Sequence, residues 1–116
     1  MKPVRRGDVF RVAFGQTKGH ELKEPHYAVV VQSDAYPLST VLVVPLSSSV
    51  QPTPWRVPVK VAGKRTCALV EQTRAVDAET RLREWVCSIA DTDAMAQIDE
   101  ELAMILGIHE DYKTAG

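Results

Sequence analysis

Hydrophobic residues occur along most of this chain either in alternation with polar residues or in short runs. Apolar side chains alternate with others in residues 6–14 and 55–61, while residues 27–31 and 41–46 are almost continuously apolar. Alternation is typical of half-buried β-strands, and short continuous runs are typical of fully buried ones. The pattern predicts about six strands. They lie at residues 6–14, 26–33, 40–46, 55–61, 66–72 and 84–90.

The segments between these strands are mostly short, and proline, glycine and serine cluster in them. Such turns join antiparallel neighbours. Residues 15–25 form a longer polar segment, which we expect to be a functional loop. Residues 73–83 connect the fifth and sixth strands. Pro58 has no backbone N–H to donate, so the strand at residues 55–61 is predicted to lie at an edge of the sheet.

The spacing of apolar residues changes after residue 90 from that of a strand to that of a helix. Apolar residues then recur three or four positions apart, as on one face of a helix. These residues are Met95, Ile98, Leu102, Ile105 and Leu106. Asp91 or Thr92 is suited to cap the N-terminus of this helix, and Gly107 is suited to end it. We expect one amphipathic helix that packs against the sheet.

Short turns between strands exclude a doubly wound sheet and predict a mainly β fold, a small antiparallel barrel followed by one C-terminal α-helix. A chain of 116 residues and 12.8 kDa is expected to form a single domain, residues 1–116. Its 45% hydrophobic and 25% charged residues are typical of a globular protein rather than a disordered one. No apolar run approaches the ~20 residues that span a bilayer, and no signal peptide is recognisable. We therefore expect a cytoplasmic protein without membrane contact.

The charge of the chain is unevenly distributed along its length. Residues 1–84 contain 13 Lys and Arg against 8 Asp and Glu, a balance of +5. Residues 85–116 contain 1 Lys against 7 acidic residues, a balance of −6. A basic body is suited to bind an anionic polymer on one face. Two solvated faces of opposite sign are the alternative, and charge alone does not decide between them.

Polar side chains that can transfer a proton or bind a phosphate occur in the long loop and at the ends of the predicted strands. They are His20, Glu21, His26, Ser47, Ser48, Glu71, Gln72 and Arg74. A barrel brings strand ends together at one rim, where functional groups commonly converge. Each residue also has an ordinary structural explanation, since serine after a strand commonly forms a turn. Trp55 beside Arg56 is a candidate to stack on a nucleobase, and packing at a sheet edge is its alternative.

No metal or cofactor is predicted from the sequence. Cys67 and Cys87 are far apart and lack the spacing of a metal-binding pair. The chain also lacks a phosphate-binding glycine loop and a nucleophile elbow.

In combination, these residues resemble the MazF/PemK (Kid-like) toxins of bacterial type II toxin–antitoxin modules. Five blocks carry the resemblance, in order and over nearly the whole chain. The first is Arg-Gly-Asp-Val-Phe at residues 6–10, and the second is Gly-His-Glu-Leu-Lys-Glu-Pro-His-Tyr at 19–27 with the strand and turn that follow it to residue 34. The third is Val-Val-Pro-Leu-Ser-Ser at 43–48, and the fourth is Leu-Val-Glu-Gln-Thr-Arg-Ala-Val-Asp at 69–77, followed by Arg-Leu at 81–82. The fifth is Ile-Asp-Glu-Glu-Leu at 98–102 with Leu-Gly-Ile at 106–108.

The resemblance implies an SH3-like β-barrel of the PemK/CcdB-like toxin type and a homodimer. It also implies metal-independent cleavage of single-stranded RNA at short sequences, an mRNA interferase activity in which the ribose 2′-OH attacks the neighbouring phosphate. The expected partners are single-stranded RNA and a cognate antitoxin with an acidic, disordered tail that folds on binding.

The resemblance further implies roles for individual residues. Ser47 stands where the family has a Thr or Ser that donates a hydrogen bond to the phosphate. Glu71 and His20 stand at positions that take part in the cleavage reaction in Kid-like members. His26 stands where the family has Arg, so the catalytic cation is the main departure of this chain. The expected catalytic residues are His26, Ser47, Glu71 and His20, with Ser48 as the alternative to Ser47. The expected RNA-binding residues are Ser48, Glu21, Trp55, Arg56, Gln72, Arg74 and Arg6.

Two other functions stay open at this point. A member without nuclease activity would bind RNA or an antitoxin without cleavage. A gyrase-poisoning toxin on the same fold would act through protein contacts. Arg5, Arg6, Arg56 and Arg74 are the candidates to supply the charge of the missing arginine.

Overall fold

The computed structural model describes residues 3–15 and 26–108, which form a mainly β structure with one C-terminal α-helix. Its strands are β1 (Asp8–Val12), β2 (His26–Val30), β3 (Thr40–Ser47), β4 (Arg56–Val61), β5 (Lys64–Leu69), β6 (Arg74–Asp77) and β7 (Leu82–Ser88). A 3₁₀ turn (Val70–Gln72) follows β5, and helix α1 (Asp93–Ile105) follows β7. Most of the predicted loop at residues 15–25 lies outside the described residues.

The strands form one antiparallel sheet in the order β4-β5-β3-β2-β1-β7, and β6 pairs with β3 beside this path. β3 pairs with β6 through Thr40–Val43 and with β5 through Leu46 and Ser47. Because one long strand changes its partner along its length, the sheet curls into a half-barrel. The predicted antiparallel barrel class is thus confirmed, and β4, which contains Pro58, lies at an edge of the sheet.

The two faces of the sheet carry separate hydrophobic clusters, because successive side chains of a strand point to opposite faces. One cluster includes Val9, Val29 and Val44, and helix α1 adds Met95 and Ile98 to it. The other cluster is centred on residues of the same strands, and no helix residue in the described part of the chain belongs to it. Its members include Phe10, Val12, Ala28, Val30 and Val43.

Helix α1 begins as the sequence predicts and packs over only part of the length expected. The Thr92 hydroxyl accepts a hydrogen bond from the Met95 N–H at 3.2 Å, so Thr92 rather than Asp91 is the N-cap. Met95 and Ile98 are buried, whereas Ile105 and Leu106 remain 48% and 68% exposed. The helix packs against β4 and the 3₁₀ turn, and Leu102 is its last residue among those that pack against the cluster containing Met95 and Ile98.

Two strand predictions differ from the structure. The predicted connection at residues 73–83 contains strand β6, whose four residues bury only Val76 and therefore show no alternation. The predicted strand at residues 66–72 ends at Leu69 and continues as the 3₁₀ turn. Helix α1 is not long and apolar enough to cross a membrane, and neither is any other helix in the described part of the chain.

Candidate functional site

The register of β2 and β3 brings His26 and Ser47 to the same end of two neighbouring strands. Tyr27 of β2 lies opposite Leu46 of β3, and His26 and Ser47 are the next residues along. Val12 of β1 lies opposite His26 on its other side. Two residues that are 21 positions apart in sequence therefore meet at one rim of the half-barrel.

A groove opens at this rim beside His26. It has a volume of about 280 Å³ and is lined by Arg11, His26, Tyr27, Leu46, Ser48, Lys64 and Thr66; it is called the histidine groove below. Arg11, Tyr27 and Leu46 are cross-strand partners on β1, β2 and β3. Directly opposed residues point to the same face of a sheet, so the register itself places the Arg11 side chain beside this groove.

A second groove lies along the β4–β5 hairpin. It has a volume of about 400 Å³ and is lined by Ser47, Ser48, Val50, Pro52, Pro58, Val59, Lys60, Arg65, Thr66 and Cys67; it is called the hairpin groove below. Ser48 and Thr66 line both grooves, so the two grooves adjoin each other across these residues.

The charge of both grooves is positive. Arg11 and Lys64 line the histidine groove, and Lys60 and Arg65 line the hairpin groove. None of the described residues that line either groove is Asp or Glu. Negative charges are thus absent from the described residues of these linings, and the rim is suited to an anionic ligand.

The two neighbouring serines differ in what their hydroxyls contact. Ser47 is only 3% exposed. Its Oγ accepts a hydrogen bond from the Ser49 N–H at 3.2 Å and shares another with the Ser49 hydroxyl at 3.1 Å. Ser48 is exposed. The Ser47 hydroxyl therefore holds the turn after β3, while Ser48 offers the accessible hydroxyl at the junction of the two grooves.

Glu71 lies in the 3₁₀ turn and is paired with Arg56 of β4. Its Oε2 accepts hydrogen bonds from Arg56 Nη2 at 2.7 Å and Arg56 Nε at 3.1 Å. The hydrogen bond to Glu71 raises the pKa of the Arg56 guanidinium. Neither residue lines the histidine groove or the hairpin groove. The structure therefore brings His26 together with the serines and places the Arg56–Glu71 pair elsewhere.

The remaining predicted site residues occupy several places. Gln72 is exposed in the 3₁₀ turn, and Trp55 precedes β4 with 45% of its surface exposed. The Arg74 guanidinium lies over the Phe14 ring, 5.1 Å from its centroid. Arg6 forms a salt bridge with Asp99 of helix α1. His20 and Glu21 lie outside the described residues.

Sequence comparison places the chain in a family. Residues 5–106 match the family model described as PemK-like, MazF-like toxin of type II toxin–antitoxin system. The chain belongs to this toxin family. A Mycobacterium tuberculosis protein named "Putative toxin Rv3098A/RVBD_3098A" is 40% identical to this toxin over 106 residues, which cover 90% of this chain and 99% of that protein. The resemblance drawn from the sequence blocks is confirmed.

Solved structures of MazF proteins share the fold of this toxin. MazF from Deinococcus radiodurans superposes with a TM-score of 0.76 at 24% identity, covering 89% of this chain and 96% of that one. An endoribonuclease from a Mycobacterial species, in complex with its cognate antitoxin, superposes with a TM-score of 0.74 at 18% identity. That match covers 92% of this chain and 97% of the other. At these identities the likeness establishes the fold.

The sequence predictions for this toxin missed the four cations that line the grooves. The candidates for the missing arginine were Arg5, Arg6, Arg56 and Arg74, whereas the groove-lining cations are Arg11, Lys60, Lys64 and Arg65. One signal was available in the sequence, because Ala62 and Gly63 read as a two-residue hairpin turn. Such a turn pairs the residues before and after it in register, which predicts that Lys60 and Arg65 lie opposite each other. No comparable signal was available for Arg11, whose position depends on the pairing of β1 with β2.

Proposed function

We propose that this toxin is an endoribonuclease that cleaves single-stranded RNA at the histidine groove. One observation carries the proposal: a histidine, an exposed hydroxyl and two cations line a single groove, and none of its described lining residues is acidic. These are the groups required for attack of a ribose 2′-OH on the adjacent phosphate. That reaction needs proton transfer and donors for the charge that develops on the phosphorane.

Each groove residue has a role in this proposal. Arg11 and Lys64 stabilise the phosphate and the additional negative charge of the phosphorane. Arginine also presents parallel N–H groups that match two phosphate oxygens. Ser48 donates a hydrogen bond to a phosphate oxygen. Side chains thus supply the positive charge, and we expect cleavage to persist in EDTA.

His26 is proposed to carry the proton that the leaving 5′-oxygen requires. Histidine changes its protonation state near neutral pH, so it both binds an anion and transfers a proton, whereas arginine is a poor proton donor. The acceptor of the 2′-OH proton is proposed to be His20, which lies outside the described residues. Glu71 was the other candidate, and its carboxylate is held by Arg56 outside the groove.

The partners of the proposed enzyme follow from the positive rim and from the related structures. The Mycobacterial endoribonuclease was solved with its cognate antitoxin. We propose that a small antitoxin with an acidic tail binds this toxin across the two grooves and competes with RNA. We also propose a homodimer, for which sedimentation at micromolar concentration is the test, and a monomer would contradict it.

The decisive experiment incubates the purified toxin with a long, unstructured RNA in EDTA and analyses the ends of the products. Fragments with a 5′-hydroxyl and a 2′,3′-cyclic phosphate are expected. Ser48→Ala is expected to reduce the rate by about 10²-fold, as loss of one transition-state donor commonly does. Ser39→Ala is the matched control, since Ser39 is also exposed and lines neither groove.

The other outcomes of this experiment decide against the proposal. Intact RNA that binds tightly at the rim would identify a member of the family that binds without cleaving. RNA that is neither cleaved nor bound would favour action through protein contacts, as in a gyrase poison.

A further inference from the structure

The β4–β5 hairpin carries two like charges directly opposite each other. Lys60 and Arg65 are cross-strand partners, and both are exposed. Like charges at directly opposed positions destabilise a hairpin. None of the described residues that line the hairpin groove is acidic, so the lining does not neutralise this pair. Two opposed cations that lower the stability of the hairpin are explained if their function is to bind an anion.

Apolar side chains line the same groove beside the two cations. Val50 and Pro52 come from the segment after β3, and Pro58 comes from β4, whereas the Val59 side chain is buried in the cluster that contains Met95 and Ile98. Proline rings and valine side chains present flat or compact apolar surfaces to a planar ligand. The groove therefore combines positive charge with apolar contact area, which matches a nucleotide, whose phosphate is anionic and whose base is planar.

The wall of the hairpin groove is held in place by side chains of the sheet. The Cys67 thiol donates a hydrogen bond to the Val50 carbonyl at 3.7 Å, and the Thr66 hydroxyl donates one to the Val59 carbonyl at 2.8 Å. The Ser47 hydroxyl holds the turn that leads into this wall. The groove is thus formed before any ligand binds, which lowers the entropic cost of binding.

The hairpin groove also adjoins the proposed site of cleavage. Ser48 and Thr66 line both grooves, so a strand that passes the histidine groove reaches the hairpin groove within a short distance. We infer that the hairpin groove is a second RNA subsite, which holds a nucleotide next to the cleaved phosphodiester. Lys60 and Arg65 neutralise its flanking phosphates, and the apolar wall selects its base. This inference rests on the proposed function.

The test measures binding of a random-sequence 2′-O-methyl RNA, which lacks the attacking hydroxyl and stays intact. Dissociation constants are measured for the parent and for Lys60→Gln/Arg65→Gln over a range of salt concentrations. Each phosphate contact to a single strand contributes about 0.7 to the slope of log K against log salt. The slope of the double variant is therefore expected to fall by about 1.4. Arg5→Gln/Arg83→Gln removes the same charge at exposed positions outside both grooves and is expected to change the slope less.

A second measurement addresses base selection. Pro52→Ala removes part of the apolar wall, and cleavage-site mapping in a random RNA pool is expected to show weaker preference at one nucleotide beside the cleaved bond. Cleavage at the preferred sites is expected to fall relative to cleavage at other sites, because the wall proposed to select the base is altered.

The outcomes separate the two proposals. If the parent cleaves RNA while Lys60→Gln/Arg65→Gln matches its control in slope, the hairpin subsite is overturned and the nuclease proposal stands. If Pro52→Ala leaves the cleavage pattern unchanged, base selection by this wall is overturned. If the parent neither binds nor cleaves RNA, the proposed function fails and the subsite fails with it.

Discussion

The histidine groove and the Arg56–Glu71 pair both contain cationic side chains and differ in how those charges are satisfied. Arg56 donates two hydrogen bonds to a carboxylate, so its charge is neutralised within the toxin. In the described part of the chain, no ion pair involves Arg11 or Lys64 of the groove. An arginine predicted from the sequence to bind RNA is thus already paired with a carboxylate within the toxin. The cations that the described residues leave without an ion pair support the proposal that the rim binds an anionic ligand.

The largest loss of cleavage rate is expected from replacing His26 in the histidine groove. Replacement by alanine is expected to reduce the cleavage rate by about 10³-fold, within the range of proton-transfer catalysis. If protonated His26 supplies the proton, the rate of the parent is expected to fall on the alkaline side of its pH profile. His26→Arg is expected to retain cleavage and to flatten this decline, because arginine stays charged.

Rate profiles from pH 5 to 9 for the parent, His26→Ala and His26→Arg provide the measurement. An unchanged alkaline limb in His26→Ala, with cleavage equal to that of the parent, would remove His26 from the mechanism.

A smaller loss is expected from the two cations of the histidine groove. Arg11→Gln/Lys64→Gln is expected to reduce kcat/KM by about 10²-fold, because both charges would face the phosphorane. The matched control is the double variant Arg56→Gln/Arg74→Gln. It removes the same charge at arginines that contact Glu71 and Phe14 rather than line the histidine groove. Single-turnover rates at constant ionic strength provide the comparison. Equal losses in the two double variants would mean that net charge, rather than position, determines activity.

Glu71 tests the other member of the comparison, the ion pair that lies outside both grooves. Because its carboxylate accepts both Arg56 hydrogen bonds, Glu71→Gln is expected to change the cleavage rate by less than about threefold. Its stability is expected to remain almost unchanged, because exposed ion pairs contribute little. Rates and urea denaturation of this variant provide the measurements. A loss near 10²-fold in rate at unchanged stability would restore the carboxylate to a catalytic role.

The smallest expected effect is on stability alone, at the turn that positions Lys60 and Arg65. Ala62 and Gly63 have φ values of +50° and +81°, which is the left-handed region that favours asparagine and glycine. Ala62→Asn is expected to raise the free energy of unfolding by about 0.5 kcal/mol without affecting cleavage. Gly63→Ala is the opposite control, expected to lower it by about 1 kcal/mol through the backbone alone, since no atom lies within 4 Å of the added Cβ. Equal midpoints in urea for the two variants would contradict this account.

Much of the fold was predictable because its signals are local. Alternating valines predicted β4, and Pro58 predicted that it lies at an edge of the sheet. Thr92 was a candidate for the start of α1, and Met95 and Ile98 indicated its buried face. β6 was missed because an edge-like strand of four residues that buries only Val76 has no local pattern of its own. The last turn of α1 was predicted to be buried because periodicity shows which residues share a face and not how far the neighbouring sheet extends.

For the candidate site, the sequence determined which chemical groups were available and that His26 and Ser47 lie at strand ends. The tertiary structure decided which of these groups meet. The pairing of β1 with β2 placed Arg11 opposite Tyr27, at the groove that His26 also lines, and the β4–β5 hairpin placed Lys64 there as well. The same pairing of β4 with β5 placed Arg56 within reach of Glu71. The physical reason is that charge neutralisation depends on distances between side chains from different strands, and register sets those distances, whereas spacing along the chain does not.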